Sequence, residues 1–239
     1  MVRMSISIII PVHNEISRLE DCVKNVEKQL GRRDFEILLM EDASTDGTAD
    51  LAADLAKGDK RIKHIHSNIK MGKGNAIKRG FQLATGRILA FLDSDESTDT
   101  SYLPLLIETA EKHGIAIGSR YMRGSKAKRI FKRNVISRVY NLLLAILFSS
   151  KIKDHQCGFK AFKKEIAYKL IKECRNDRWS FDTEMLLLAQ RQKYPVTEIP
   201  VLWDEHPDTT NIHVVRDSIR FIIDIIKLRV RFWTQGSTA

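Results

Sequence analysis

The chain has 239 residues, 43% of them hydrophobic, with 40 Lys and Arg against 30 Asp and Glu for a net charge of +10. That length buries a real core, and α/β units of this size run as one domain. Cys22, Cys157 and Cys174, odd in number and without a CxxC pair, argue against a disulfide framework or a cysteine zinc site, and the longest uncharged stretch, 139–150, is 12 residues where a spanning helix needs about 20.

The elements alternate in chain order. "ISIIIPV" (6–12) is β-branched and strand-length, too short for a signal-peptide core. Helical spacing follows at 17–30, a strand at 35–41, a helix at 47–57, a strand at 61–66, a helix at 74–84, a strand at 87–93, a helix at 101–112 and a strand at 115–119. Strand and helix repeated in this way predict an α/β fold with a mostly parallel central sheet and right-handed crossovers. After residue 120 the pattern changes to a basic loop, an apolar helix at 134–149, mixed elements and a long helix at 212–233. The division expected is a catalytic domain over 1–211 and a C-terminal amphipathic helix and tail over 212–239.

Charge is concentrated in the same later region. Between Arg120 and Lys169 stand 14 Lys or Arg against only Asp154 and Glu165. Such a run is either a solvated face or an attraction for phosphate, on a nucleic acid or an anionic membrane surface. It lacks the aromatic interleaving of a stacking surface, which argues against nucleic acid.

In open α/β sheets ligands sit beyond the carboxyl ends of the strands. "PVHNE" (11–15), "EDASTDGT" (41–48) and "DSDES" (93–97) all fall there and can converge. Neither GxGxxG nor a Walker A motif is present. "MGKGNA" (71–76) suits a phosphate or a tight turn, and "STDGT" reads as a helix N-cap beside Asp42. Past the end of an apolar strand the chain can turn, so Asp93 and Asp95 can meet one hard divalent cation, Mg2+ or Mn2+, which in turn binds a nucleotide diphosphate. The donor is expected against Pro11, Val12, Glu15, Asp42 and Lys73, with Asp93 and Asp95.

"SIIIPVHNE", "LLMEDASTDGTAD", "KGNAIKRGFQLATGRILAFLDSDES", "IGSRY", "DHQCGFKAF" and "WSFDTEML" resemble, in order and spacing, inverting glycosyltransferases of family 2 with the nucleotide-diphospho-sugar transferase (GT-A, Rossmann-like) fold. The resemblance covers about residues 5–205 and is strongest to dolichyl-phosphate glucose and mannose synthases. It implies that Asp42 contacts the nucleoside, that Asp93 and Asp95 hold metal and diphosphate, and that Arg120, Arg133 and Ser137 receive the acceptor phosphate. Asp93, Asp95 and Arg120 are then the catalytic set. The wording of "DHQCGFK" and "FDTE" leans to UDP-glucose over GDP-mannose as donor, with a dolichyl or polyprenyl phosphate as acceptor.

The chemistry agrees from below. A lipid phosphate, with a second pKa of about 6, is already nucleophilic at neutral pH and needs no general base. It needs placement and cations, and guanidinium groups bind phosphate oxygens in bidentate fashion. Were the acceptor instead a glycan or glycolipid hydroxyl, Asp182 and Glu184 would be general-base candidates; the other reading is a helix N-terminus, with Trp179 and Phe181 as core. Two positions depart from the family pattern. Ser97 stands where mannose synthases commonly carry a metal-binding Gln, and "WDEHPDTTN" offers His206, Thr209 and Thr210 where an Arg and a Ser-Lys pair are common.

The terminal helix carries two apolar arcs. One is Ile219, Ile222, Ile223, Ile226, Val230 and Trp233; the other is Phe221, Ile225, Leu228 and Phe232, with Arg216, Arg220, Asp224, Lys227 and Arg231 between them in one stripe. A helix covering a domain edge needs one apolar arc. The other is expected on a membrane interface or on a second subunit, in a cytoplasmic protein held peripherally on the cytoplasmic face of a membrane.

Overall fold

The structure is a computed structural model that describes residues 5–128, 131–204 and 214–234, with the side chains of 128, 131–133 and 214–220 outside the description. Strand β1 (Ser5–Val12) is buried through Ile6, Ile8, Ile9 and Ile10, as a β-branched run covered on both faces must be. It lies at the middle of a sheet ordered β3-β2-β1-β4-β7-β5-β8. The strands are β2 (Asp34–Asp42), β3 (Ile62–Ser67), β4 (Ile88–Leu92), β5 (Ile115–Ser119), β7 (Phe159–Lys163) and β8 (Val196–Pro200). Strands β6 (Lys126–Lys128) and β9 (Leu202–Asp204) pair separately in parallel.

The parallel pairs β1–β2, β1–β4, β2–β3 and β5–β8 match the fold class expected from the sequence. The exception is β7, which enters antiparallel between β4 and β5. The sequence gives no strand signal there because Lys160 occupies a fully buried position in the run. A charged residue inside a strand breaks the apolar pattern, and only a distant partner explains it.

Helices α1 (Leu19–Leu30), α2 (Thr48–Gly58) and α4 (Leu103–His113) cover one face of the sheet. Helices α3 (Lys73–Leu83), α6 (Lys164–Glu173) and α7 (Phe181–Arg191) cover the other. Beyond α7, α5 (Phe131–Phe148) and α8 (Val214–Thr234) form a third layer around Tyr140, Leu144, Leu187, Ile225 and Leu228.

The packing of α8 separates its two arcs. Phe221, Ile225, Leu228 and Phe232 face α5 and α7. Two members of the polar stripe also face inward: Asp224 accepts hydrogen bonds from Asn176 Nδ2 (2.9 Å) and Ser180 Oγ (2.6 Å), and Arg231 pairs with Glu184 at 2.7 Å. Lys227 is exposed, and the side chains of Arg216, Ile219 and Arg220 lie outside the described residues. Ile222, Ile223, Ile226, Val230 and Trp233 are left in solvent, from 44% exposed at Ile223 to 78% at Trp233. Helix α5 adds an exposed row, Val135, Val139, Leu142 and Ile146, at helical spacing. Among the described residues no helix is long and apolar enough to cross a membrane.

Candidate active site

The carboxyl ends of β1, β2 and β4 carry short loops that are bonded to one another. His13 Nδ1 lies 2.8 Å from the carbonyl of Asp42, the Asn14 amide donates to Ser44 Oγ at 3.0 Å, and the Thr45 amide donates to Asn14 Oδ1 at 2.8 Å. The Glu15 amide donates to Thr48 Oγ1 at 2.9 Å. Asn14, Ala43 and Glu96, one in each loop, hold φ between 54° and 57°. Left-handed backbone at non-glycine residues is costly and persists where the surroundings enforce it, as at functional sites.

Asp42 is buried at the end of β2, and its two oxygens accept the backbone amides of Met71 (2.7 Å) and Gly72 (2.8 Å). It thereby fixes the turn that starts α3. In that turn Gly72 has φ +98°, and a Cβ there would meet the Asp177 carbonyl at 2.8 Å. Of the two sequence readings of "MGKGNA", the tight turn is what the backbone builds, and it delivers Lys73 into the site.

Lys73 Nζ stands 2.6 Å from Asp93 Oδ1 and 3.5 Å from Asp182 Oδ2, with the Trp179 ring centroid 5.2 Å away. Burial alone would lower its pKa, but Asp93 and Asp182 outweigh burial and hold the ammonium charged. On the opposite side, burial pushes the Glu15 carboxyl up to about 7, with Asp95 and Asp93 adding to the rise and Arg18 opposing it. Burial likewise raises Asp93, Lys73 opposing and Asp95 adding. Asp95 Oδ1 accepts the amide of Ser97 at 3.0 Å.

The charges of Asp93 and Asp95 therefore bear on Glu15 and on one another, and Glu15 Oε2 is buried without a hydrogen bond, its contact being Arg18 Nη1 at 3.6 Å. All-oxygen donors with excess negative charge and an orphaned buried oxygen fit a hard divalent cation such as Mg2+ or Mn2+. A cleft of about 690 Å3 opens beside this cluster, lined by Asn25, Glu96, Ser97, Thr98, Lys126 and Trp203 among others.

The other wall is organised by "DHQCGFK" (154–160). Asp154 is fully buried and takes the Arg120 guanidinium in bidentate fashion, Nε and Nη2 each at 2.7 Å. Burial would lower the Arg120 pKa, and Asp154 more than reverses that. His155 bonds Ser150 Oγ at 3.0 Å and Asn141 Oδ1 at 2.9 Å, which ties the segment to α5. Ser137 Oγ donates to Gln156 Oε1 at 3.3 Å. Gly158 lies against Asp93, where a Cβ would come within 1.9 Å of Oδ2. Lys160 Nζ bonds Asp182 Oδ1 at 2.6 Å; burial lowers the Lys160 pKa, with Asp182 opposing.

Pro11, Val12, Glu15, Asp42, Lys73, Asp93 and Asp95 are thus brought to one end of the sheet. Arg120 and Ser137 meet through residues 154–156 on the adjoining wall. Arg133 falls in the first turn of α5 with its side chain outside the described residues, as are His206, Thr209 and Thr210. Phe181 is core, as one reading of "WSFDTE" expects, whereas Trp179 is half exposed over Lys73. Asp182 and Glu184 do stand in the first turn of α7, but both carry ion pairs besides. Asp154, His155, Gly158 and Lys160 are the organising residues that sequence reasoning gave no role; the only signal for them was the "DHQCGFK" string itself.

Residues 7–171 match the family model described as glycosyl transferase family 2. The chain belongs to glycosyl transferase family 2. It is 38% identical over 220 residues to glycosyltransferase AglD of Haloferax volcanii, covering 90% of this chain and 35% of that protein, so it spans about a third of that relative. It is 32% identical to the dolichyl-phosphate beta-glucosyltransferase of Dictyostelium discoideum (95% of this chain, 74% of that one). The Saccharomyces cerevisiae protein of the same name is 30% identical (95% and 75%). Among solved structures, glucosyl-3-phosphoglycerate synthase of Mycobacterium tuberculosis, in complex with Mn2+, UDP and glucosyl-3-phosphoglycerate, superposes with a TM-score of 0.73 at 17% identity, covering 94% of this chain and 80% of that one. That likeness supports the GT-A fold of a family 2 glycosyltransferase.

Proposed function

We propose that this family 2 glycosyltransferase transfers glucose from UDP-glucose, with inversion, to a dolichyl or polyprenyl phosphate at the cytoplasmic surface of a membrane. The observation that carries the reading is the cluster of Glu15, Asp93 and Asp95 facing a buried, charged Lys73 at the strand ends. It would put a cation site beside a fixed ammonium, which suits a nucleotide diphosphate. The names of the relatives support glucose and the lipid phosphate, and the bound UDP and Mn2+ of the structural neighbour support the donor and the cation.

Asp93 and Asp95 would hold Mg2+ or Mn2+, which when bound offsets negative charge on the departing nucleoside diphosphate. Lys73 holds Asp93 in place and presents positive charge to the same region. Pro11, Val12, Glu15 and Asp42 line the nucleoside end. The lipid phosphate, ionised at neutral pH, attacks the anomeric carbon from the face opposite the diphosphate, forming the new C–O bond as the old one breaks; no proton need be removed. Arg120 and Arg133 would offset the acceptor's charge, and the Ser137 hydroxyl would donate a hydrogen bond to its oxygens. An acceptor hydroxyl would call for a free general base, and Asp182 is held between Lys160 and Lys73.

In this reading residues 1–211 are the catalytic domain, and 212–239 seat it on the bilayer through the exposed arc of α8 and the exposed row of α5, with Lys227, Arg229 and Arg138 in the same exposed surface. The test crosses UDP-glucose and GDP-mannose with a polyprenyl phosphate and a glycolipid alcohol, with and without chelator. The expected result is glucose on the lipid phosphate, lost in chelator and in Asp95→Asn while the variant remains folded. Full activity in excess chelator, or transfer to the alcohol alone, would overturn the reading.

A further inference from the structure

A second group of metal-type ligands stands apart from the strand-end carboxylates. His64 and His66 alternate along the edge strand β3, so both project from one face. Glu41 of β2 is the ladder partner of His66 and shares that face. It is the face of Ile37, Leu39 and Ile62, packed under α2, whereas Asp42 turns the other way to the start of α3. One oxygen of Glu41 and one ring nitrogen from each histidine all lie within 4.8 Å of one another.

We propose that Glu41, His64 and His66 form a binding site for a zinc-class divalent cation, distinct from the hard-cation site of Asp93 and Asp95. The donors of each ligand are arranged for it. His64 Nε2 is buried and has no hydrogen-bond partner among the described residues. Glu41 Oε1 is occupied by the Ser44 amide at 2.5 Å, which leaves Oε2 turned to His66 Nδ1 in a short contact. The other ring nitrogen of His66, Nε2, stands 2.8 Å from Asn68 Oδ1. With Nε2 donating to that amide oxygen, Nδ1 presents a lone pair to a carboxylate, a repulsive arrangement unless a cation or a second proton lies between them. A ring nitrogen on the metal with its partner N–H held by an oxygen acceptor is the usual outer shell of a histidine ligand.

The donor set also chooses the metal. Two imidazoles and one carboxylate, leaving a fourth position to water, suit Zn2+ or Co2+ and disfavour Mg2+. Bonds of about 2.0–2.2 Å require the ligands to draw together, and His66, whose side chain is 44% exposed, has the freedom to turn and leaves the site open to solvent. The physical consequence is a clip between β2 and the edge strand β3.

The test uses the intact, chelator-stripped chain titrated with Zn2+ against a chromophoric chelator, with Co2+ as a spectroscopic substitute. We expect one zinc per chain, no competition from Mg2+, a tetrahedral Co2+ spectrum, and a raised melting temperature on binding. The Asp93→Asn, Asp95→Asn double variant should keep this zinc, which makes the outcome independent of the proposed transferase site. His66→Ala and His64→Gln should weaken binding at least about 10-fold, and Asn68→Ala, which removes only the outer partner, about 10-fold. His66 is exposed, so its variant keeps the fold. Zinc affinity unchanged in both histidine variants, or no binding at micromolar zinc, would overturn the proposal and leave a proton-bridged Glu41–His66 ion pair.

Discussion

The two walls of the site are built by opposite means. The wall from β1, β2 and β4 consists of carboxylates that repel one another and are restrained mainly by backbone: Asp42 by two amides, Glu15 by its own amide on Thr48, Asp95 by the amide of Ser97. The wall from 120–160 and α7 consists of charges already neutralised in pairs, Arg120 with Asp154 and Lys160 with Asp182. The first wall carries more carboxylates than cations, with Lys73 against Asp93 and Arg18 beside Glu15. The second is compensated, and its charges hold structure together. Substitution should therefore cost activity on the first wall and stability on the second.

The largest effect follows at Arg120. Its side chain is 6% exposed and its carboxylate partner is fully buried. Arg120→Ala leaves Asp154 charged and unpaired, which costs about 3–5 kcal/mol of folding stability. Asp95→Asn on the other wall removes no such partner and should change stability by less than about 0.5 kcal/mol. Denaturant unfolding of the two variants breaks the comparison if Arg120→Ala is as stable as the parent. The proposed acceptor role of Arg120 is then better read in Arg120→Lys, which keeps a charge against Asp154 but loses the fork, as a raised KM for the lipid phosphate.

That contrast explains what the sequence could and could not disclose. The fold class, the strand boundaries through residue 119 and the convergence of 11–15, 41–48 and 93–97 were legible because they rest on local periodicity and on the rule that strand ends converge. Strand β7 was not, because the reason a lysine sits at position 160 is Asp182, 22 residues away. Gly158 reads as one more glycine until Asp93 is seen against its Cα. The terminal helix falls between these cases: two arcs are visible in its spacing, but only the inward hydrogen bonds of Asp224 and the pairing of Arg231 decide which arc is left outside.

A second, smaller effect is a pH dependence on the compensated wall. Burial first, and Lys160 second, push the His155 imidazole down to about 3. Its pKa in the unfolded chain is about 6.5. Below that pH the unfolded chain takes up a proton that the folded one refuses, so the contribution is complete above about pH 6.5 and is lost as pH falls toward 3, at up to about 1.4 kcal/mol per unit. Between pH 6.5 and 5 the parent should lose about 2 kcal/mol that His155→Gln does not lose. Parallel unfolding curves for parent and variant across that interval would remove His155 from the account.

The smallest effect on stability should come from the exposed side chains of the outermost layer, and it is there that stability and function separate most cleanly. Ile222, Ile226 and Val230 are exposed on α8, while Leu228 on the same helix is buried against α5 and α7. Leu228→Ala removes packed methyl groups and should cost about 2–5 kcal/mol. Ile222→Gln, Ile226→Gln and Val230→Gln take nothing from the core and should each stay within about 0.5 kcal/mol of the parent. On anionic vesicles the order reverses. Each exposed side chain that enters the interface contributes roughly 25 cal/mol per Å2 of apolar surface, so the triple Gln variant should dissociate from vesicles that retain the parent at low salt, where screening of Lys227, Arg229 and Arg138 is least. Transfer to a long-chain lipid phosphate should fall with it, and transfer to a water-soluble short-chain phosphate should persist. If the parent itself ignores anionic vesicles, the exposed arc of α8 and the row on α5 are better assigned to a second copy of the chain, and sedimentation of the parent against the triple variant then shows a dimer lost.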